Sequence, residues 1–142
     1  MLGEFREAVD WSEEGVRIAD EAGQPYSRMQ AHLWAGEVHL ALGDLAHGIP
    51  RLRQAVQLSR DLFLTFRGWP AVTMALAHAQ AGGPNEALAL AAQVVEWSAT
   101  TGGASSWTVS RLGETYLLMG NLAEATPLAD RALEGRTVYP KR

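Results

Sequence analysis

Cysteine is absent from the 142 residues, which excludes disulfides, zinc–thiolate centres and thiol nucleophiles together. Lysine occurs once, at Lys141, against eleven Arg, and Ile and Asn occur twice each. That bias fits a GC-rich coding sequence and points to a bacterium of high GC content. No apolar run approaches the ~18 residues needed to span a bilayer, and the N-terminus lacks the basic-then-apolar order of a secretory signal. The expected setting is reducing and cytoplasmic, without membrane contact. The formal net charge is −4, with no sign of the basic face that neutralises phosphates, so direct nucleic-acid binding is not expected. The acidic excess is local. Before Gly23 the chain carries Glu4, Glu7, Asp10, Glu13, Glu14, Asp20 and Glu21 against Arg6 and Arg17, and the remainder is close to neutral.

What is present is apolar residues at 47% and charged residues at 20%, the balance of a folded chain long enough to bury a core. The 14 glycines are not scattered. With Gly43 aligned to Gly120, residues 31–56 and 108–133 are identical at eight of 26 positions without a gap: Gly36/Gly113, Glu37/Glu114, Leu40/Leu117, Gly43/Gly120, Leu45/Leu122, Ala46/Ala123, Pro50/Pro127 and Ala55/Ala132. A third copy lies between them around Gly82 and Ala87. Gly3, Gly43, Gly82 and Gly120 then recur at a nearly constant step, and the fifth position after each holds a small residue (Ala8, Gly48, Ala87, Ala125). Self-similarity at such a period is the mark of a repeat architecture.

Each unit reads as helix, tight turn, helix. Glycine can end the first helix in the left-handed conformation without a steric cost. Asp44 and Asn121 are natural caps for the second helix, and Pro84 suits a first helical turn. The small residues after the turn, and Gly36, Ala75 or Gly113 before it, mark close helix approach. The expected helices are 4–22, 27–42, 45–62, 69–81, 84–99, 105–119 and 122–135, with loops around Gly23-Gln24-Pro25, Arg67-Gly68 and Thr101-Gly102-Gly103. Pro50 and Pro127, at equivalent positions, each remove a helical hydrogen bond; their recurrence predicts a shared bend, the alternative being a second helix that starts later.

These spacings resemble the tetratricopeptide repeat. Leu112-Gly113, Tyr116, Gly120, Ala125 and Ala132-Leu133 carry the resemblance best; Ala35-Gly36, His39, Gly43, Gly48 and Ala55-Val56 follow, then Met74-Ala75, His78, Gly82, Ala87 and Val94. The units run about five residues beyond the usual 34, like the helical repeats of bacterial ATPase-linked regulators. The resemblance implies an all-α, right-handed α-solenoid of antiparallel helix pairs. It implies one domain over 1–142, made of a partial unit 1–24 and units 25–64, 65–102 and 103–142. The first unit lacks its inner helix, so the chain reads as part of a longer protein. Phe5, Val9, Trp11, Val16 and Ile18 then leave an N-terminal edge open to self-association.

Carried over from the family, the groove-facing positions are Gln30, Leu33, Trp34 and Glu37 in the second unit. They are Trp69, Val72, Thr73 and Leu76 in the third, and Trp107, Ser110, Arg111 and Glu114 in the fourth. Tryptophan dominates binding hot spots, but Trp69 and Trp107, in the same register of successive units, also suit core packing. Little else points to chemistry. His32, His39, His47 and His78 lack the i,i+4 pairing of a helical metal site, and His39 and His78 fall at the repeat's aromatic packing position. Glu37 and Glu114 are repeat equivalents and not a differentiated acid pair. No nucleophile or phosphate-binding motif occurs. Arg51, Arg53 and Arg60 read as partners for the acidic first helix. The expectation is a non-enzymatic scaffold without cofactor or metal that binds a protein or peptide in a concave groove, within a larger bacterial signalling or transcription-regulatory protein. The alternatives are a small-ligand sensor of such a regulator and a structural or oligomerisation unit.

Overall fold

The computed structural model describes residues 2–62, 64–100 and 104–137. Among them it has seven helices and no strand: α1 (Leu2–Ala22), α2 (Pro25–Ala41), α3 (Leu45–Ser59), α4 (Leu64–Gln80), α5 (Pro84–Thr100), α6 (Ser106–Leu118) and α7 (Leu122–Thr137). α1 packs on α2, α2 on α3 and α6 on α7, the adjacent-helix packing of the all-α class expected of a helical repeat. The chain divides into two compact units, Met1–Pro70 and Ala71–Arg142.

One turn is built three times. Gly43, Gly82 and Gly120 all have φ between 72° and 75°, open to glycine and costly for residues with a Cβ. At the first, the Gly43 amide donates to the Leu40 carbonyl (3.0 Å) and the Asp44 amide to that of His39 (2.9 Å). The same bonds run from Gly82 to Ala79 (3.2 Å) and Gly83 to His78 (2.8 Å), and from Gly120 to Leu117 (3.0 Å) and Asn121 to Tyr116 (2.9 Å). This nested pair satisfies carbonyls that the ending helix would leave bare. The residue after the glycine also starts the next helix. Asp44 accepts from the His47 amide and Asn121 from the Glu124 amide, both at 3.4 Å. In the middle turn Gly83 has no side chain to cap with, and Pro84 opens the helix instead.

In the first unit, α1 and α3 pack on α2 around Val16, Ala19, Met29, Leu33, Leu40, Leu52 and Ala55, all buried. A Cβ on Gly36 would lie 2.6 Å from both Cγ and Cδ2 of Leu52, and one on Gly48 would lie 3.2 Å from the His39 Cβ. The absence of side chains at these positions is what lets α2 and α3 meet. In the second unit, Val72, Ala91, Val94 and Leu112 form a cluster from α4, α5 and α6, with Trp107, Tyr116 and Leu128 against it.

Several boundaries differ from expectation. Gly3 lies inside the first turn of α1; among the described residues the remaining positive-φ glycine is Gly23 (φ 70°), which ends that helix. The Arg67-Gly68 loop is helical, and α4 starts at Leu64, before the expected 69. Gly68 and Pro70 are buried there, so tertiary packing outweighs their poor helix propensity. α3 stops at Ser59 because its end tightens to three-residue bonds, Arg60 amide to Gln57 carbonyl and Leu62 amide to Ser59 carbonyl, both 3.2 Å. Pro50 and Pro127 sit inside α3 and α7, and both helices continue through them. The Thr101-Gly102-Gly103 loop lies outside the described residues.

Equivalent glycines should respond with opposite sign. Gly36→Ala forces its methyl into Leu52 and should destabilise by about 1–3 kcal/mol. At Gly113 the nearest atom to a new Cβ is the Leu128 Cβ, at 3.6 Å. Gly113→Ala should therefore be neutral or stabilising by up to about 1 kcal/mol through helix propensity. Urea unfolding of the two variants separates them; loss of stability in both would refute the space argument.

Candidate functional site

The twelve sequence-predicted positions divide by exposure. Leu33, Val72, Thr73 and Leu76 are 0% exposed and belong to the interior. Gln30 is half-buried, with its Nε2 donating to the Tyr26 hydroxyl at 2.7 Å. Trp34 is 52% exposed on α2, and Glu37 and Trp69 are half-buried. In the fourth pair Ser110 and Glu114 are exposed, while Trp107 and Arg111 are half-buried.

These last residues come together. Trp107, Ser110 and Glu114 line an open cleft of ≈ 880 Å³ between α6 and α7, with Gly113, Leu117, Leu122, Ala125, Thr126, Ala129, Ala132 and Leu133. Arg111 lies over the Trp107 ring, 5.7 Å from its centroid, and its Nη1 donates to Glu114 Oε2 at 3.0 Å. Trp107 thus has one side against the core cluster and another on the cleft. The α7 wall and Leu117 were missed by attention to inner helices alone. The repeat register could have found them, because Ala125, Ala129 and Ala132 correspond to Ala87, Ala91 and Val94.

Residues 107–138 match the family described as tetratricopeptide repeat. This one segment is similar to a tetratricopeptide repeat. The match runs through α6, the Gly120 turn and α7, the same segment that builds the cleft. No curated protein matches the chain. Tetratricopeptide repeats are generally non-catalytic protein-interaction modules, so the matched segment suggests an interaction scaffold. No helix among the described residues is long and apolar enough to cross a membrane.

A second polar cluster ties α1 to α2 and α3. Glu13 accepts from Arg51 Nε at 3.1 Å, with Arg51 Nη2 on its other oxygen, and from His39 Nε2 at 3.2 Å. Asp20 accepts from Arg28 Nε at 2.8 Å and lies 3.5 Å from His32 Nε2. The expected complementarity of Arg51 to the acidic helix is therefore present, whereas Arg53 and Arg60 are exposed. His39 Nδ1 faces the Asp44 carboxylate at 3.1 Å, and His47 Nδ1 faces it at 2.8 Å. His39, Asp44 and His47 are a group whose donor atoms could hold a metal ion. Sequence spacing hid it, because the two imidazoles sit on different helices on either side of the turn.

The charges here make the first unit acid-sensitive. Burial holds the His32 imidazole below its ordinary pKa, against an opposing pull from Asp20. The Arg28 hydrogen bond lowers Asp20. Burial pushes Glu13 up, but hydrogen bonds and charge from Arg51 and His39 outweigh it and leave Glu13 low. An unfolded His32 binds a proton more readily than the folded one. Its contribution is thus full above about pH 6.5 and lost as pH falls below that, while the carboxylates lose theirs below about pH 4. Melting temperature should decline in two stages on acidification, and His32→Gln should flatten the first. A melting temperature constant from about pH 7 to about pH 5 in the parent chain would contradict the assignment.

Proposed function

We propose that this protein binds an amphipathic helix of a partner protein in the α6–α7 cleft, with Trp107 as the aromatic anchor. One observation carries the reading. The chain already seats a helix on the equivalent surface of α4 and α5, where Val72, Ala91 and Val94 pack against Leu112 of α6 with Trp107 and Tyr116 alongside. One repeat further on, these three positions are Ser110, Ala129 and Ala132, all lining the cleft. Ala129 is exposed and Ala132 half-buried, whereas Ala91 and Val94 are buried. Leu117, Leu122 and Leu133 add large apolar side chains, each more than half exposed.

The occupant's chemistry follows from the differences between the two surfaces. Val72 becomes Ser110 and Leu76 becomes Glu114, so the helix presents an apolar stripe with hydrogen-bond donors toward that edge. Small residues along α7 admit close approach, and the Trp107 ring offers a large, rigid contact at little entropic cost. Trp34, exposed on α2, is a separate aromatic contact in the first unit. The elongated repeat supports a host of the bacterial regulatory kind, signalling or transcriptional, with the module inside the cell. Self-association is a second reading, favoured by the exposed stripe of Trp11 and Ile18 on α1.

Helical peptides selected from a library for binding to the whole chain provide the test. Ala129→Glu places a charge in the cleft without touching the core, and should weaken such peptides at least about tenfold, ~1.4 kcal/mol. Trp107→Ala should cost about 2 kcal/mol or more, as hot-spot tryptophans do. Peptides that bind both variants as tightly as the parent would place recognition elsewhere. Sedimentation that shifts with concentration in the parent but not in Trp11→Glu would support the second reading.

A further inference from the structure

The turn between α2 and α3 differs from its two counterparts in the side chains it gathers. The residue whose carbonyl closes the turn is His39, the capping residue is Asp44, and the third residue of α3 is His47. At the same offsets the α4–α5 turn carries His78, Gly83 and Glu86, and the α6–α7 turn carries Tyr116, Asn121 and Glu124. The first alone places two imidazoles around a carboxylate.

Their geometry suits a shared ligand. Asp44 Oδ2 lies 3.1 Å from His39 Nδ1 and 2.8 Å from His47 Nδ1. One donor atom of each residue falls within 4.8 Å of the others. Nitrogen and oxygen donors about 2.0–2.2 Å from one ion sit roughly 3–3.5 Å apart, so small adjustments bring all three onto a common centre. Two of the three are already held. The His39 side chain is buried, and Asp44 is anchored through the turn's backbone bonds. His47, whose side chain is 74% exposed, has room to close; its ring stacks on that of His39 with centroids 5.5 Å apart.

The outer contacts point the same way. Glu13 lies 3.2 Å from His39 Nε2 and can accept from a proton-bearing Nε2, the tautomer whose Nδ1 would bind an ion shared with Asp44. A carboxylate behind a histidine is the usual support of a metal-bound imidazole. Arg51, the nearby cation, is paired with Glu13. An open space of ≈ 480 Å³ bordered by Val9, Ala46 and Pro50 leaves room for water at the remaining coordination positions.

We propose that His39, Asp44 and His47 bind a divalent late first-row transition ion such as Zn²⁺, with Glu13 as the positioning residue behind His39. Imidazole nitrogens with a carboxylate suit Zn²⁺, Ni²⁺ and Cu²⁺ better than Mg²⁺ or Ca²⁺. Because the ligands come from both sides of the turn, the ion ties α2 to α3 and stabilises the folded chain over the unfolded one. Protons compete for both imidazoles, so binding weakens as pH falls. The titratable and charged groups facing the site are Glu13 of α1, His39 of α2, Asp44 of the turn, and His47 and Arg51 of α3.

The test uses the full chain without a histidine tag. Calorimetric titration with Zn²⁺ should saturate at one equivalent and raise the melting temperature, and Co²⁺ should give the visible absorption of a protein-bound ion. His47→Ala alters an exposed side chain and should retain the parent helicity. It should weaken Zn²⁺ binding at least about a hundredfold, and Glu13→Gln about 10–100-fold. His78→Ala, at the equivalent position of the next turn, should bind as the parent does. Absence of heat and of a melting shift with Zn²⁺, Ni²⁺ and Co²⁺ would overturn the proposal. So would binding that His47→Ala and Asp44→Asn leave unchanged; the cluster is then a helix cap with a proton between His39 and Asp44.

Discussion

A single backbone device, the left-handed glycine between two helices, supports everything else in this protein. At Gly43, Gly82 and Gly120 the chain reverses in a tight turn. The amide after the glycine returns to the third-last carbonyl of one helix, and in the first and third turns that residue, Asp44 or Asn121, also caps the next. The two helices of each pair therefore leave the turn in a fixed relation. Small residues five positions on, Gly48, Ala87 and Ala125, are all buried where the helices first meet. Each turn thus determines which residues face one another for the rest of the hairpin.

From one turn geometry the three pairs diverge through side chains alone. In α2–α3 the closing positions hold His39, Asp44 and His47, and the turn becomes polar and tied to Glu13. In α4–α5 the corresponding faces are apolar and carry α6. In α6–α7 the seat is part apolar and part polar, with Ser110 and Glu114 at its edge and exposed leucines around it. The same surface is core in one pair and open cleft in another, because burial depends on what lies above it. Trp107 takes part in both, packing on the α4–α5 cluster and lining the α6–α7 cleft.

The acidic first helix has its own part. It turns Val16 and Ala19 into the core and sets Glu13 and Asp20 against Arg51, His39, Arg28 and His32. Exposed ion pairs add little by themselves. Glu13 and Asp20 also reach the buried His39 and His32 rings. Trp11 and Ile18 remain outside on the same helix, so α1 combines a paired polar side with an unpartnered apolar stripe.

The seven helices, the three glycine turns and the repeat matched at residues 107–138 were legible along the chain. Glycine spacing, capping residues and small-residue positions act over a few residues and leave a local signature. The helical state of Arg67 and Gly68 was not legible, because burial of Gly68 and Pro70 outweighs their propensities. Nor could local patterns separate Leu33, Val72, Thr73 and Leu76, which are interior, from Ser110 and Glu114, which line a cleft. Repeat register pairs Val72 with Ser110 and Leu76 with Glu114, and the apolar-to-polar change there does not by itself say which position is covered. The meeting of His39 and His47 was equally out of reach of helical periodicity. A turn, and not a helix face, joins them, and only the tertiary structure brings atoms from two helices within coordinating distance.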